Sequence, residues 1–162
     1  MEQFDLACVL RDELISMGAE NVYLDEEYCV VYATVPSTRT DCGGKSVGFV
    51  AHMDTVPNYP GDHVKPWVYE QYPGGDVVLN EKLGIVLKPE EYPKVLEYIG
   101  DDIIFTDGTT VLGGDDKAGV AVIMTAADYL LQHPEIVHGP IQLAFTPDEE
   151  IGNLAKQALL LR

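Results

Sequence analysis

Basic residues are scarce in this sequence. It has 10 lysines and arginines against 27 aspartates and glutamates, so the formal net charge is −17. Nucleic acids and anionic membranes are bound through positively charged patches that contact phosphate groups. The composition therefore argues against both kinds of partner. Most of the acidic side chains are expected to lie in solvent, because carboxylates are rarely buried without a partner.

Cysteine, long apolar runs and an N-terminal targeting signal are also lacking. The three cysteines, Cys8, Cys29 and Cys42, are irregularly spaced and form no Cys-x-x-Cys motif. This argues against a disulfide scaffold and for a reducing compartment. No basic segment followed by an apolar stretch opens the chain, and no apolar run approaches the length of a membrane span. These absences predict a cytoplasmic protein with no membrane segment.

Apolar patterning predicts an α/β fold. A chain of 162 residues, 46% of them hydrophobic, is the right size for a single domain over 1–162. The predicted elements are a helix over 4–18, strands over 28–34 and 46–51, a short helix over 93–99, a strand over 102–105, a helix over 117–131 and a strand over 141–146. The last strand–helix–strand succession predicts a parallel βαβ unit, and so a mixed, mostly parallel sheet flanked by helices. The helix over 117–131 is apolar nearly all round, so we expect it to be buried.

Residues 57–88 form the least regular stretch, in which prolines, glycines and aromatic residues alternate. Only 77–79 resembles a strand. Long excursions of this kind in compact domains are usually functional or mobile, and we expect this one to lie beside the site. Trp67, Tyr69 and Tyr72 could line a pocket there, although packing as a satellite cluster beneath the loop is the favoured interpretation.

Three short segments that carry acidic residues follow strand-like apolar runs. They are residues 52–55 (His-Met-Asp-Thr), 113–117 (Gly-Gly-Asp-Asp-Lys) and 146–150 (Thr-Pro-Asp-Glu-Glu). Open α/β sheets collect their ligand sites at the carboxyl ends of their strands. Histidine, aspartate and glutamate gathered there are the residue types that bind a water-activating metal. The joint placement of the three segments therefore favours a metal site.

Each segment alone leaves alternatives open. Asp54 could hold the ring of the histidine two residues earlier or orient another ligand. For the adjacent Asp115 and Asp116, either a cation neutralises the pair or one of them caps the helix that follows. Glu149 and Glu150 would point in opposite directions on an extended backbone and serve different partners, or else lie in a solvated acidic turn.

The three segments resemble the peptidase T family of tripeptide aminopeptidases, within the di-zinc aminopeptidase and carboxypeptidase superfamily. The similarity rests on residues 52–55, on the Gly-Gly-Asp-Asp-Lys-Ala-Gly run over 113–119, and on Ala-Phe-Thr-Pro-Asp-Glu-Glu over 144–150. It extends through 72–76 and 106–108, and the three motifs in combination are highly specific.

The resemblance implies a role for each candidate residue. His52 would bind one zinc ion, Glu150 would bind the second, and Asp115 would bridge both. Asp54 would support the site from behind, and Glu149 would be the general base that accepts a proton from the attacking water. The family also implies a cis peptide bond directly after the bridging aspartate.

The sequence also departs from the family's pattern. Family members are well over twice as long, and the portion without a counterpart here carries a further carboxylate ligand, a histidine ligand and a lid domain. We therefore expect a partial catalytic domain with three of five ligands, no lid domain and an unpaired strand edge. Residues 153–162 read as an apolar helix unlike the family's continuation. His63, His133 and His138 match no motif and are expected to be structural or surface residues.

Three functions remain open at this point. The resemblance implies a zinc-dependent aminopeptidase that releases N-terminal residues from tripeptides, with two Zn²⁺ ions per complete site and short peptides as substrates. A related di-zinc deacylase or carboxypeptidase would keep the metal site but take acylated amino acids or C-terminal residues. A truncated, non-catalytic metal-binding or interaction domain would use the exposed sheet edge, either in a homodimer or with another protein.

Overall fold

The structure, a computed structural model, describes residues 2–41 and 44–152. The chain divides into two compact units: Val56–Gly113 is one, and the residues on either side of it form the other. The helix predicted over 153–162 and the cysteine at position 42 lie outside the described residues. None of the helices in the described ranges is long and apolar enough to cross a lipid bilayer.

The described ranges contain two α-helices, one 3-10 helix and eight strands. In chain order they are α1 (Glu2–Met17), β1 (Glu20–Asp25), β2 (Val30–Val35), β3 (Val47–His52), β4 (Trp67–Tyr69), β5 (Val77–Asn80), β6 (Ile85–Leu87), the 3-10 helix (Pro93–Tyr98), β7 (Ile103–Phe105), α2 (Gly114–Gln132) and β8 (Ile141–Thr146). Every element predicted within these ranges is present, with ends shifted by up to three residues. β2 begins later than predicted because Cys29, with φ of 55°, still belongs to the preceding turn.

The unit on either side of Val56–Gly113 is built on a four-stranded mixed sheet in the order β1-β2-β8-β3. β1 and β2 form an antiparallel hairpin, in whose turn the Asp25 carboxylate accepts the N–H groups of Glu27 and Tyr28. β2 and β8 are also antiparallel, and β3 and β8 are parallel. The predicted mixed sheet is confirmed. Two of its three described pairings are antiparallel, so the sheet is not mostly parallel there. The β1–β2 pairing must be antiparallel because a tight hairpin joins these two strands.

The predicted βαβ unit has a different first strand. β7 was expected to pair with β8. It lies instead in the unit Val56–Gly113, where it pairs with β4 and Phe105 lies opposite Trp67. The parallel partner of β8 is β3, and the whole of Val56–Gly113 as well as α2 intervenes between these two strands. The prediction was wrong because succession along the chain does not identify which strand a βαβ unit starts from when a long segment is inserted.

One hydrophobic core joins both helices to one face of this sheet. Ala7, Leu10 and Leu14 recur at three- and four-residue steps along α1 and are buried. The same cluster contains alternating residues of the strands and one face of α2. The strand residues are Val31, Ala33, Val35, Leu143 and Phe145, and the α2 residues are Val120, Met124 and Ala127. The period of 3.6 in the helices and of 2 in the strands therefore explains which residues are inside.

The expectation that α2 is buried all round is wrong for the described part of the chain. Val122 on this helix is 67% exposed, and Ala121 and Ala126 are also exposed. Only the side of the helix that carries Val120 and Met124 packs into the core. An apolar sequence is thus not sufficient for burial, because a second packed layer is needed to cover the other side.

The unit Val56–Gly113 contains two antiparallel strand pairs, β4 with β7 and β5 with β6. Tyr72, Val77 and Phe105 are its buried core. Trp67 packs on Phe105 with ring centroids 5.5 Å apart, and Tyr69 meets Tyr72 edge-on at 5.7 Å. The favoured interpretation of these aromatic residues, packing as a satellite cluster, is confirmed.

Candidate metal centre

His52 is the last residue of β3, where it lies opposite Thr146, the last residue of β8. Because the two strands are parallel, both end at the same edge of the sheet. The acidic segments that follow them therefore begin side by side. His52 and Asp54 are buried, at 7% and 6% exposure, so their polar groups need partners within the protein.

The two nitrogens of the His52 ring face different carboxylates. Nδ1 lies 3.2 Å from Oδ1 of Asp54 and 3.2 Å from its backbone oxygen. Nε2 lies 2.9 Å from Oδ1 of Asp115. Asp54 thus holds the ring of His52, which resolves one alternative that the sequence left open. A proton on Nδ1 serves Asp54 and leaves Nε2 directed at Asp115.

Charge around the ring favours a cation between these groups. Burial acts to lower the pKa of His52, but the hydrogen bond with Asp115 and the charges of Asp54 and Glu149 outweigh it, so the pKa is raised above its ordinary value. When the ring carries a second proton, on Nε2, it donates that proton to Oδ1 of Asp115. A divalent cation can take the place of that proton, since Nε2 and the carboxylate would then both be ligands.

The structure shows one of the alternatives for the adjacent aspartates, the helix cap, at Asp116. Asp116 accepts the N–H of Gly119 through Oδ1 at 3.1 Å, as an N-cap does. Asp115 has φ of −87° and ψ of 108°, outside the helical region, and its side chain reaches His52. The peptide bond between the two aspartates is cis, as the resemblance implied. The regular part of α2 therefore starts at Lys117, the predicted start.

The segment after β8 is a turn and not extended backbone. Asp148 has φ of 64°, and the N–H of Gly152 donates to the carbonyl of Glu149 at 2.8 Å. The N–H groups of Glu149 and Glu150 donate to the two carboxylate oxygens of Asp54 at 3.3 and 3.2 Å. Sequence reasoning missed this contact, because nothing near Asp54 in the sequence signals a partner about 95 positions away.

Three of the candidate residues form a group with ligand geometry. One ligand atom each from His52, Asp115 and Glu150 lie within 4.8 Å of one another. Atoms bound to one zinc ion at about 2.0–2.2 Å are at most roughly 4.4 Å apart, so small side-chain adjustments suffice. Glu149 reaches the same place, with Oε2 3.8 Å from Nε2 of His52. Nitrogen and carboxylate donors of this kind fit zinc.

The other histidines lie elsewhere. The side chain of His63 is 94% exposed in the unit Val56–Gly113. Nδ1 of His133 pairs with Glu135 at 2.8 Å, and Nδ1–H of His138 donates to the carbonyl of Gly139. None of the three belongs to the metal-type group found in the described residues, in agreement with their interpretation as structural or surface residues.

Fold and donor set together define a class of protein. A mixed α/β sheet that gathers histidine, aspartate and glutamate donors where two parallel strands end is typical of metallopeptidase catalytic domains. Within that class, the chain is similar to peptidase T. It is 53% identical over 150 residues to peptidase T of Geobacillus thermodenitrificans (strain NG80-2) and 50% identical over 152 residues to peptidase T of Alkaliphilus oremlandii (strain OhILAs).

These matches include 93% of this chain but only 36% and 37% of the two relatives, so the chain spans little more than a third of their length. No protein-family model matches the chain. Among solved structures, the aminopeptidase PepT of Bacillus cereus ATCC 10987 is 29% identical with a TM-score of 0.60, over 93% of this chain and 32% of that one.

Two further solved structures share the fold. A tripeptidase from Staphylococcus aureus is 27% identical with a TM-score of 0.58, over 89% of this chain and 31% of its own. The aminoacylhistidine dipeptidase of Vibrio alginolyticus, 22% identical with a TM-score of 0.53, matches 91% of this chain and 24% of its own. The α/β fold predicted from the sequence is therefore the fold of these peptidases over the matched region.

Proposed function

We propose that this chain carries part of the metal site of a peptidase T-like zinc aminopeptidase, which releases N-terminal residues from tripeptides. The observation that supports the proposal is the convergence of His52, Asp115 and Glu150 at the end of two parallel strands. The chain is 53% identical to a peptidase T over 150 matched residues, which supports this substrate class over those of other metal-dependent hydrolases.

These three residues would hold two zinc ions between them. His52 would hold one ion, Glu150 the other, and Asp115 both. When bound, zinc supplies Lewis acidity, which polarises a scissile carbonyl and lowers the pKa of water. Asp54 keeps the proton of the imidazole on Nδ1, so that the lone pair of Nε2 faces the cation site.

Glu149 is the proposed general base. Its side chain is 40% exposed, so water reaches it, and Oε2 lies 3.8 Å from Nε2 of His52. Its carboxylate would accept a proton from the attacking water and pass it to the leaving amine. The Asp54 carboxylate orients this residue through its backbone N–H, which keeps the proton acceptor beside the metal ligands.

The first experiment tests the metal site alone. The purified chain is stripped with EDTA and titrated with Zn²⁺, and bound zinc is measured by plasma mass spectrometry. We expect stoichiometric zinc in the wild type and its loss in His52→Ala. His133→Ala is the matched control, because that histidine pairs with Glu135 away from the site. A folded wild-type chain that binds no zinc would refute the proposal.

The second experiment separates the three candidate functions. Release of the N-terminal residue from a tripeptide with a free amine, and its loss in Glu149→Gln, would support the aminopeptidase. Cleavage of N-acetylated amino acids or release of C-terminal residues would assign the related deacylase or carboxypeptidase. Zinc binding without any hydrolysis would assign the non-catalytic metal-binding domain to this chain.

The proposal also includes a location and a class of substrate. The thiols of Cys8 and Cys29 are free, which suits a reducing compartment and supports a cytoplasmic location. Short peptides with a free N-terminus are the proposed partners.

A further inference from the structure

The candidate metal centre supplies few donor groups. Among the described residues, the group with ligand geometry consists of His52, Asp115 and Glu150. The residues outside the described ranges include no histidine, aspartate or glutamate, so their sequence adds no ligand of these types. A catalytic zinc ion normally has three protein ligands and a water molecule. The group is therefore the right size for one such ion.

The three ligand atoms also surround a single point. Because no two of them are more than 4.8 Å apart, some point lies within about 2.8 Å of all three. Bonds from zinc to nitrogen and oxygen are about 2.0–2.2 Å long. The ring of His52 is held by Asp54, so the adjustment falls to the two carboxylate side chains. Asp115 is free to make it, since its side chain is 87% exposed.

A pair of ions would divide the same donors. Zinc ions in two-metal sites lie about 3.5–4 Å apart. With Asp115 as the bridge, one ion would keep His52 and the other Glu150, so each would have only two protein ligands. Two cations at this separation also repel each other, and further carboxylates are needed to offset the repulsion. The two-ion arrangement proposed above belongs to an enzyme of full length, whereas this chain spans little more than a third of its relatives.

We propose that this chain by itself binds one divalent cation, held jointly by His52, Asp115 and Glu150, in place of a pair of ions bridged by Asp115. The inference rests on the proposed function, because it concerns the same site, and it states how many ions that site holds in this chain. Zn²⁺ is the cation that fits best, since it accepts imidazole nitrogen together with carboxylate oxygen. Glu149 lies beside the group without belonging to it and stays available as a proton acceptor.

The number of bound ions is measured on the whole chain. The protein is stripped with EDTA, loaded with excess Zn²⁺ and freed of unbound metal by gel filtration, and zinc per chain is measured by plasma mass spectrometry. We expect about one zinc per chain. About two zinc per chain would refute the inference and leave the proposed aminopeptidase site standing. A folded chain without zinc would refute both.

Variants of two ligands distinguish one shared ion from two separate ones. If the ion is shared, His52→Ala and Glu150→Ala each remove a ligand of the same ion, so each should weaken zinc binding on the order of 100-fold or more. In a bridged pair, Glu150→Ala would lose one ion and keep the other on His52. One tightly bound zinc in Glu150→Ala would therefore refute joint binding. Asp148→Asn is the matched control, because it changes a carboxylate of the same turn outside the ligand group, and it should alter zinc affinity less than about fivefold.

A spectroscopic measurement needs no variant. Mn²⁺ accepts carboxylate and imidazole donors, and two Mn²⁺ ions about 3.5–4 Å apart are magnetically coupled. With Mn²⁺ in excess over the wild-type chain, the electron paramagnetic resonance spectrum should contain only the hyperfine pattern of isolated ions. The more closely spaced pattern of a coupled pair would show two ions in the site and overturn the inference.

Discussion

The carboxylate of Asp54 accepts the backbone N–H of Glu149 at 3.3 Å, although 95 positions of sequence separate the two residues. Its other oxygen accepts the N–H of Glu150, and its first also lies 3.2 Å from Nδ1 of His52. One buried carboxylate thus orients the imidazole of the candidate metal centre and the acidic turn together. Asp54 therefore positions three of the other four candidate residues.

We expect Asp54→Asn to weaken zinc binding by about 10- to 100-fold, the usual effect of removing a group that orients a ligand. The pKa of His52 should also fall, because the charge of Asp54 is among the causes that raise it. Calorimetric titration with Zn²⁺ measures the first effect, and an NMR pH titration in EDTA measures the second. Asp12→Asn, which removes an exposed carboxylate paired with Arg11, should change neither. Unchanged zinc affinity in Asp54→Asn would contradict the positioning role.

Because Asp116 caps the start of α2 through the N–H of Gly119, substitutions at these two positions should not have additive effects on stability. A Cβ at Gly119 would lie 2.2 Å from Oδ1 of Asp116 and would displace the capping carboxylate. We therefore expect Gly119→Ala to be about 0.5–2 kcal/mol less favourable in the wild type than in an Asp116→Ala background, which has no cap to lose. Urea unfolding of the four chains in EDTA gives this coupling energy. Strictly additive effects would show that the cap does not limit position 119.

Asp107 should make the stability of its unit depend on acid pH. Lys65 donates to its carboxylate at 2.8 Å and Thr109 donates twice more, which lowers the pKa of Asp107 to about 2. Because this folded-state pKa lies below that of the unfolded chain, the ionised group adds stability above roughly pH 4. That stability is lost as the pH falls through about 2.

We therefore expect Asp107→Asn to lower the urea midpoint at pH 6 and to match the wild type near pH 2, the pKa value of this group. Asp62→Asn, an exposed carboxylate of the same unit, should have little effect at either pH. If the urea midpoints of the wild type and Asp107→Asn differed by the same amount across this pH range, the charge of the carboxylate would contribute nothing to stability.

Adjacent residues of α1 should differ sharply in their cost of truncation. Leu14 is fully buried, so Leu14→Ala should cost about 2–5 kcal/mol in the free energy of unfolding. Ile15 is 57% exposed, and Ile15→Ala should stay within about 0.5 kcal/mol of the wild type. Both variants replace one aliphatic residue of the same helix with alanine, and the difference in helix propensity between leucine and isoleucine is only a few tenths of a kcal/mol. Similar losses in the two would contradict the orientation of α1 on the sheet.

Local sequence was sufficient for the strands that carry the site. β3 is an apolar run up to His52, and β8 is apolar apart from Gln142 and Thr146; both lie within one residue of their predicted ends. β1 has charged residues at each end, and β4 and β6 are three residues long, so neither propensity nor alternation marks them. Pairing between strands could not be predicted, because it depends on contacts between distant segments.

The same division holds within the candidate metal centre. The residue types and their positions after strands were readable from the sequence. The sequence did not show which of the two adjacent aspartates caps the helix, since either Asp115 or Asp116 could have done so. Only the backbone conformation, non-helical at both aspartates, directs one side chain to His52 and the other to the helix.

The capping contact of Asp116 has a practical consequence. The Gly119 amide proton is held by the residue next to a candidate zinc ligand, and so its chemical shift responds to any change in that stretch of backbone. Glycine amides are readily recognised in a ¹⁵N-resolved spectrum. This single resonance can therefore report whether the ligand loop is assembled, without a dye or tag attached to the protein.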